Sequence, residues 1–115
     1  MRGNVFHNRI VKDACKVFKS HGWQVFTEYR YQCGGVVTYF DLFARKDCFE
    51  IACEVETTLR HLEDNAIKAQ TAEVELWIIV PTRRLLKQAK ERLSLQAWVI
   101  LPDQLSSELQ ERRAS

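Results

Sequence analysis

The stretch from Tyr39 to Thr58 constrains the fold of this chain most, because it places carboxylates inside two short apolar strands. A polar turn at 45–47 separates the two predicted strands. Asp41 lies in the middle of the first strand, and Glu54 and Glu56 lie near the end of the second. A buried carboxylate without a partner costs free energy, so these acids need hydrogen bonds, a basic neighbour or a cation.

The predicted pairing of the two strands determines how the acids meet. If the strands pair around Lys46-Asp47, Asp41 lies opposite Ala52, and Glu54 is its diagonal neighbour, about 7–8 Å away at the backbone. Side chains alternate between the faces of a strand, so Asp41 and Phe43 are expected on one face. Carboxylates that converge repel one another unless a cation lies among them, and oxygen ligands suit Mg²⁺ or Mn²⁺ rather than zinc.

The length of 115 residues predicts one domain, spanning 1–115. A hydrophobic content of 46% and a charged content of 28% are ordinary for a globular protein, which argues against disorder. The chain has no apolar run long enough to span a membrane and no signal-peptide core, so we expect a cytoplasmic protein with no membrane contact. The four cysteines lack zinc-finger spacing, and most are expected to be reduced and buried.

The net charge of +2 is distributed unevenly along the chain. The net charge is +4 over residues 1–40, −5 over residues 41–75 and +3 over residues 76–115. An acidic centre between basic segments is what a metal site acting on a polyanion needs. An acidic face and a basic face without any partner would explain the same distribution equally well.

Hydrophobic periodicity predicts the element order α-β-β-β-α-β-α-β-α. The first three strands form an antiparallel meander, and the later strands are joined by helical crossovers that make them parallel. We therefore expect an α/β (α+β) protein with a mixed five-stranded sheet and helices on both faces. The predicted elements are a helix over 4–20 with Asn4 as its cap, strands at 23–31, 36–43 and 49–56, a helix over 59–71 capped by Thr57 or Thr58, a strand at 74–80, a basic helix over 83–93, a strand at 97–101 and a helix after Pro102.

This order, with an acid in the second strand and an acid pair in the third, resembles the PD-(D/E)xK nuclease superfamily, which has the restriction-endonuclease-like fold with a three-layer core. The resemblance extends from the first helix to the strand of Trp98; Phe40-Asp41 matches the first motif and Glu54-Val55-Glu56 the second. It implies that Asp41, Glu54 and the Val55 carbonyl bind a divalent metal ion, Mg²⁺ or Mn²⁺. The implied function is a metal-dependent DNA endonuclease that hydrolyses phosphodiester bonds.

The chain departs from the family at the lysine that follows the second acid by two residues, because Glu56 lies there. Some members carry glutamate at this position, which would make Glu56 a general base or an added metal ligand. Other members carry the lysine on the following helix, where Lys68 lies, beside Gln70 at a position that is polar in some subfamilies. The third alternative is a catalytically inactive DNA-binding or assembly subunit on the same fold.

The basic helix offers candidates for phosphate contacts, although a solvated helix face is an equally good interpretation. Cutting both strands of a duplex needs two sites, so a homodimer or a larger assembly is expected. A metal-independent protein-interaction domain is a further alternative, and divalent ions would not stabilise it. The DNA-binding candidates are Arg83, Arg84, Lys87 and Lys90; His7, His21 and His61 are interpreted as helix-end or surface residues, and Trp23, Trp77 and Trp98 as core.

Overall fold

The strands of this protein form one mixed sheet, in a computed structural model that describes residues 4–33 and 35–114. The elements are α1 (Val5–Ser20), β1 (Gln24–Cys33), β2 (Val36–Lys46), β3 (Phe49–Val55), α2 (Leu62–Ala72), β4 (Glu75–Ile79), α3 (Arg83–Leu93), β5 (Trp98–Ile100), a 3-10 turn (Pro102–Gln104) and α4 (Leu105–Ala114). The five strands lie side by side in chain order, β1-β2-β3-β4-β5. The β1/β2 and β2/β3 pairs are antiparallel, and the β3/β4 and β4/β5 pairs are parallel. The predicted element order and fold class are confirmed.

Helices cover both faces of the sheet and create two hydrophobic layers. One layer packs α1 and α4 against one face, with Phe18 and Trp77 buried inside it. The other packs α2 and α3 against the opposite face, with Phe43 and Ile78 buried inside it. Strand β4 lies between the layers and is buried on both faces, as its continuous apolar run predicts. None of the helices in the described part of the chain is long and apolar enough to span a membrane.

Helix α1 begins and ends as the sequence predicts. The Asn4 side chain accepts a hydrogen bond from the His7 backbone N–H at 2.9 Å, which caps the first turn. After the last turn Gly22 takes a φ of +86°, a conformation that glycine adopts without steric cost, and the Trp23 N–H bonds the Phe18 carbonyl. The residue Trp23 then leads directly into β1.

Helix α2 begins three residues later than predicted, and the expected threonine cap is wrong. The helix starts at Leu62, and the preceding His61 makes no side-chain capping bond. The hydroxyl of Thr58 instead accepts the N–H of Arg60 at 3.3 Å, a local turn that competes with capping. The segment between β3 and α2 is therefore a short turn rather than the first turn of a helix.

The prediction that Trp98 belongs to the core is also wrong. Its side chain is 53% exposed on β5, and its indole N–H donates to the Glu108 carboxylate at 3.0 Å. The strand β5 lies at the edge of the sheet and has only three residues, so its outer side chain has little to pack against. The other two tryptophans, Trp23 and Trp77, are buried as predicted.

The β2–β3 register differs from the predicted one by two residues. The turn is at Asp47-Cys48, where Asp47 takes a left-handed φ of +54°, as residues in two-residue hairpin turns often do. Leu42 pairs with Cys53, so continuing the register places Asp41 directly opposite Glu54 rather than opposite Ala52. The two acids are thus closer than the predicted diagonal arrangement.

The period-2 alternation of side chains is interrupted at Asp41. Phe40 and Phe43 both pack in the layer of α2 and α3, whereas Leu42 packs in the layer of α1 and α4. The β1–β2 register places Glu28 opposite Asp41, and Glu28 takes a left-handed φ of +47°. The expectation that Asp41 and Phe43 share a face is therefore wrong, and the interruption leaves the Asp41 carboxylate outside the aromatic layer.

Candidate functional site

Two carboxylates lie together where β3 ends. Glu54 is completely buried, and the side chain of Asp41 is only 10% exposed. The two carboxyl groups are hydrogen-bonded to each other across the β2–β3 pair. One Asp41 oxygen, Oδ2, also accepts the backbone N–H of Val55 at 2.9 Å. The strand pairing therefore fixes the positions of both acids.

The pKa of the Glu54 carboxyl is raised to about 8, chiefly by burial and then by the negative charge of Asp41 and the hydrogen bond to it. The ammonium of Lys68 opposes this rise. The Glu54 carboxyl therefore retains its proton near neutral pH. A cation bound beside it would favour the charged carboxylate instead.

Lys68 reaches the acids from α2. Its Nζ donates to Glu54 Oε1 at 2.5 Å and to the Tyr39 carbonyl at 2.6 Å. The ammonium also lies 4.9 Å from the centre of the Phe40 ring. The Lys68 side chain remains 24% exposed, so it borders the site rather than being enclosed in it. The structure thus brings together three of the predicted site residues, Asp41, Glu54 and Lys68.

His7 belongs to the same cluster, although the sequence interpretation assigned it a surface or helix-end role. Its Nε2 lies 3.2 Å from Asp41 Oδ2, and its Nδ1 lies 3.1 Å from Asn8 Oδ1. The residue is buried in the first turn of α1. It lies on the helix stripe that continues through Ile10 and Ala14, and this position is a sequence signal that the histidine is buried.

Two further predicted site residues, Glu56 and Gln70, differ in burial and in their position relative to the acid cluster. Glu56 is buried, and its Oε1 accepts the amide of Asn65 on α2 at 2.6 Å. Gln70 is exposed, and it lies two residues after Lys68, about 200° around the helix axis. The structure therefore places Glu56 next to α2, and it does not bring Gln70 to the face of α2 that carries Lys68.

The predicted DNA-binding residues of α3 are all exposed, but they lie at different distances from the acids. The carboxyl ends of the parallel strands β3 and β4 lie at one edge of the sheet, and α3 begins shortly after β4. Arg83 and Arg84, in the first turn of α3, therefore lie at the same edge of the sheet as Glu54. Lys90 lies about 10 Å further along the helix and lines a different cavity, beside Trp98.

The donor chemistry of the cluster fits a small hard cation. Asp41 and Glu54 offer carboxylate oxygens, and Mg²⁺ is commonly held by one or two carboxylates while keeping several waters. In the described ranges, 4–33 and 35–114, no group of three or more His, Cys, Asp or Glu side chains forms a metal site. The site thus lacks the ligands of a structural zinc centre, and the assignment of the two acids as Mg²⁺ ligands stays a prediction.

No protein-family model matches the sequence, and no curated protein is significantly similar to it. The fold is similar to a protein of unknown function, AF1548, at 14% identity and a TM-score of 0.60, over 91% of this chain and 66% of that one, so this chain spans just under two thirds of its length. It is also similar to an XisH family protein from Nostoc punctiforme PCC 73102, at 22% identity and a TM-score of 0.55, over 85% and 90% of the two chains.

A third solved structure is the small subunit (R.BspD6I2) of the heterodimeric restriction endonuclease R.BspD6I. The similarity has 13% identity and a TM-score of 0.56, and it covers 93% of this chain and 69% of that one. Structural similarity at such low sequence identity shows only that the fold is shared. This chain therefore has the restriction-endonuclease-like fold, with a mixed five-stranded sheet flanked by four helices.

Proposed function

We propose that this chain is a divalent-metal-dependent DNA endonuclease that hydrolyses phosphodiester bonds. The observation that carries the proposal is the contact among Asp41, Glu54 and Lys68 at the end of β3. A buried carboxyl with a pKa raised to about 8 beside a second acid and a lysine is typical of a functional site. The restriction-endonuclease-like fold supports the reaction class by analogy.

The carboxylates of Asp41 and Glu54, with the Val55 carbonyl, would hold Mg²⁺ or Mn²⁺. Such an ion, when bound, neutralises phosphate charge and lowers the pKa of water. Lys68 would orient the attacking water and stabilise negative charge on the phosphoryl oxygens. We assign this role to Lys68 rather than to Glu56, because the Lys68 ammonium contacts Glu54 and reaches solvent, whereas Glu56 is buried against Asn65.

Cleavage assays on supercoiled plasmid, a four-way junction and single-stranded DNA test this proposal. We expect cutting that requires Mg²⁺ or Mn²⁺ and falls at least about 100-fold in Asp41→Ala, since that variant lacks one of two carboxylates. Asp64→Ala is the matched control, because Asp64 is an exposed acid on α2 that should leave cutting unchanged. Cutting that persists in Asp41→Ala would contradict the assignment of the site.

A binding readout tests the metal site independently of cutting. A ligand that binds only the folded state stabilises it by mass action, so Mg²⁺ should raise the melting temperature of the native chain. The rise should be absent in Asp41→Ala and retained in Asp64→Ala. Equal rises in all three proteins would mean that the ion binds elsewhere.

The second candidate function is a catalytically inactive DNA-binding or assembly subunit on the same fold. The observation that favours it is a fold neighbour that is one subunit of a heterodimeric enzyme. This alternative predicts no cutting of any substrate by the native chain, together with DNA binding that Asp41→Ala leaves unchanged.

A further inference from the structure

A cleft of about 570 Å³ lies directly beside the Asp41 carboxylate, between α1 and the β1–β2 hairpin. Asp41 and His7 line it on the side of the candidate site, and Val11 lines it from α1. Tyr39 borders the same cleft, and we call it the Tyr39 cleft. Two residues of the candidate site, Asp41 and His7, thus form one wall of this cleft.

Tyr39 presents an aromatic ring to solvent beside the candidate site. The residue is 59% exposed, which is high for a large hydrophobic residue in the middle of a strand. Its carbonyl accepts Lys68 Nζ, the same atom that contacts Glu54. The backbone below the ring is therefore tied to the acid cluster, and a tyrosine side chain loses little conformational entropy on binding.

The strand face around Tyr39 is open, and Arg30 brings a positive charge to it, next to the acids Glu28 and Asp41 that line the cleft. Arg30 pairs with Tyr39 across the strands and is exposed, and cross-strand partners lie on the same face. The next pair on this face, Gln32 and Val37, is exposed as well. Helix α1 flanks the cleft and carries four Lys or Arg residues against a single acid, Asp13.

We propose that the Tyr39 cleft binds an unpaired nucleobase next to the phosphate to be cleaved, so that the substrate is DNA with a single-stranded segment. The inference rests on the proposed function, because it takes DNA as the ligand. Exposed aromatic rings stack on bases with little sequence preference, while arginines contact the backbone phosphates. In an intact duplex each base is covered by its neighbours, so Tyr39 would have no base face to contact.

Fluorescence anisotropy with a labelled oligo(dT) and a labelled duplex of equal length tests the inference, with chelator present to prevent cutting. We expect the native chain to bind the single strand more tightly than the duplex. Tyr39→Leu should weaken single-strand binding about tenfold or more, since stacking depends on the ring and not on apolar bulk. Tyr39→Phe keeps the ring and should bind like the native chain.

Phe49→Ala is the matched control, because Phe49 is also an exposed strand aromatic, 51% exposed, but it lies beside the β2–β3 turn, at the other end of β2. Equal binding by Tyr39→Leu and the native chain would overturn the inference, as would a native chain without preference for the single strand. Because binding is measured without cutting, the two proposals can fail separately. If the chain cuts no DNA but Tyr39→Leu still weakens single-strand binding, the proposed nuclease function is wrong and the role of the cleft stands. If the chain cuts DNA but Tyr39→Leu does not change single-strand binding, the role of the cleft is wrong and the nuclease function stands.

Discussion

At the scale of single residues, Glu54 dominates the energetics of the candidate site. It is buried without any exposed surface, beside Asp41 and within contact of Lys68. Removing a carboxylate from water is costly, and only the lysine among these neighbours favours its charged form. The folded chain therefore holds a proton on Glu54 in a pH range where the unfolded chain has released it.

This proton predicts how stability depends on pH. The pKa of Glu54 is about 8 in the folded chain and near 4.5 when unfolded, so its contribution is fully present below pH 4.5 and is lost as the pH rises to about 8. In chelator, urea unfolding should show the native chain losing stability relative to Glu54→Gln between pH 5 and pH 8. The control Glu63→Gln should show no such trend, because the guanidinium of Arg92 lowers the pKa of Glu63. A constant difference between the native chain and Glu54→Gln would contradict the assigned shift.

Either Lys68 or Glu56 could take the role of the lysine that is missing from the motif. Their contacts predict that substitutions at the two positions lower the cleavage rate to different extents. Lys68→Met should lower the cleavage rate at least about 100-fold, because it removes the ammonium that contacts Glu54. Glu56→Gln should change the rate by less than about tenfold, since an amide can also pair with Asn65. Single-turnover kinetics would compare the two, and a larger loss in Glu56→Gln would reverse the assignment.

His7 is predicted to position the Asp41 carboxylate. Residues that orient a metal ligand typically contribute 10–100-fold to metal affinity or activity, so His7→Ala should raise the Mg²⁺ concentration for half-maximal cutting about tenfold or more. The KM for DNA should not change. His21→Ala provides the control, because His21 lies at the other end of α1 and bonds Ser106. An unchanged Mg²⁺ response in His7→Ala would leave His7 with a purely structural role.

Some residues of the candidate site could be identified from the sequence and others could not, and the reasons are physical. Asp41 and Glu54 were identifiable because acids inside apolar strands are rare unless something pairs with them. Lys68 entered only as one alternative carried by the family resemblance. The contact of His7 depends on how α1 packs on the sheet, which local pattern does not determine, and so the sequence interpretation missed it.

At the scale of elements, hydrophobic periodicity predicted the α-helices and strands of the described residues, but it did not determine the register of the central hairpin. Moving the turn from 46–47 to Asp47-Cys48 shifts every pair of β2 and β3, and this shift places Asp41 opposite Glu54. Residues with positive φ, such as Asp47 and Glu28, decide such details. Neither residue is a glycine, so the usual sequence signal for a left-handed position was missing.

The position of α3 predicts that its basic residues contribute unequally to DNA binding. Arg83 and Arg84 lie at the edge of the sheet where Glu54 lies, whereas Lys90 lies near the opposite end of the helix. The double variant Arg83→Ala/Arg84→Ala should weaken binding several-fold and reduce its salt dependence by about two counterions. Lys90→Ala removes the same kind of charge and should have a smaller effect. Equal losses per charge would indicate that the whole helix face is a diffuse basic surface.

At the scale of the whole molecule, the described residues provide one candidate site, and a single site limits what one copy can do to a duplex. If the proposed function is correct, a monomer should nick supercoiled plasmid to the open circle before any linear form appears. The linear product should then increase more steeply than linearly with protein concentration, because it needs two sites. Gel analysis over a range of concentrations tests this order. Linear product that appears without a nicked intermediate would indicate a preassembled dimer.

The left-handed Glu28 also has a consequence for how this fold can change over evolution. A non-glycine residue with positive φ typically costs about 1 kcal/mol, and this one lies opposite Asp41 on the wall of the Tyr39 cleft. Glycine would remove that cost, although glycine weakens a strand by a similar amount. Selection for stability alone therefore has little to gain at this position. If related chains retain a glutamate there, its role in the cleft that it lines would explain the retention better than the stability of the fold.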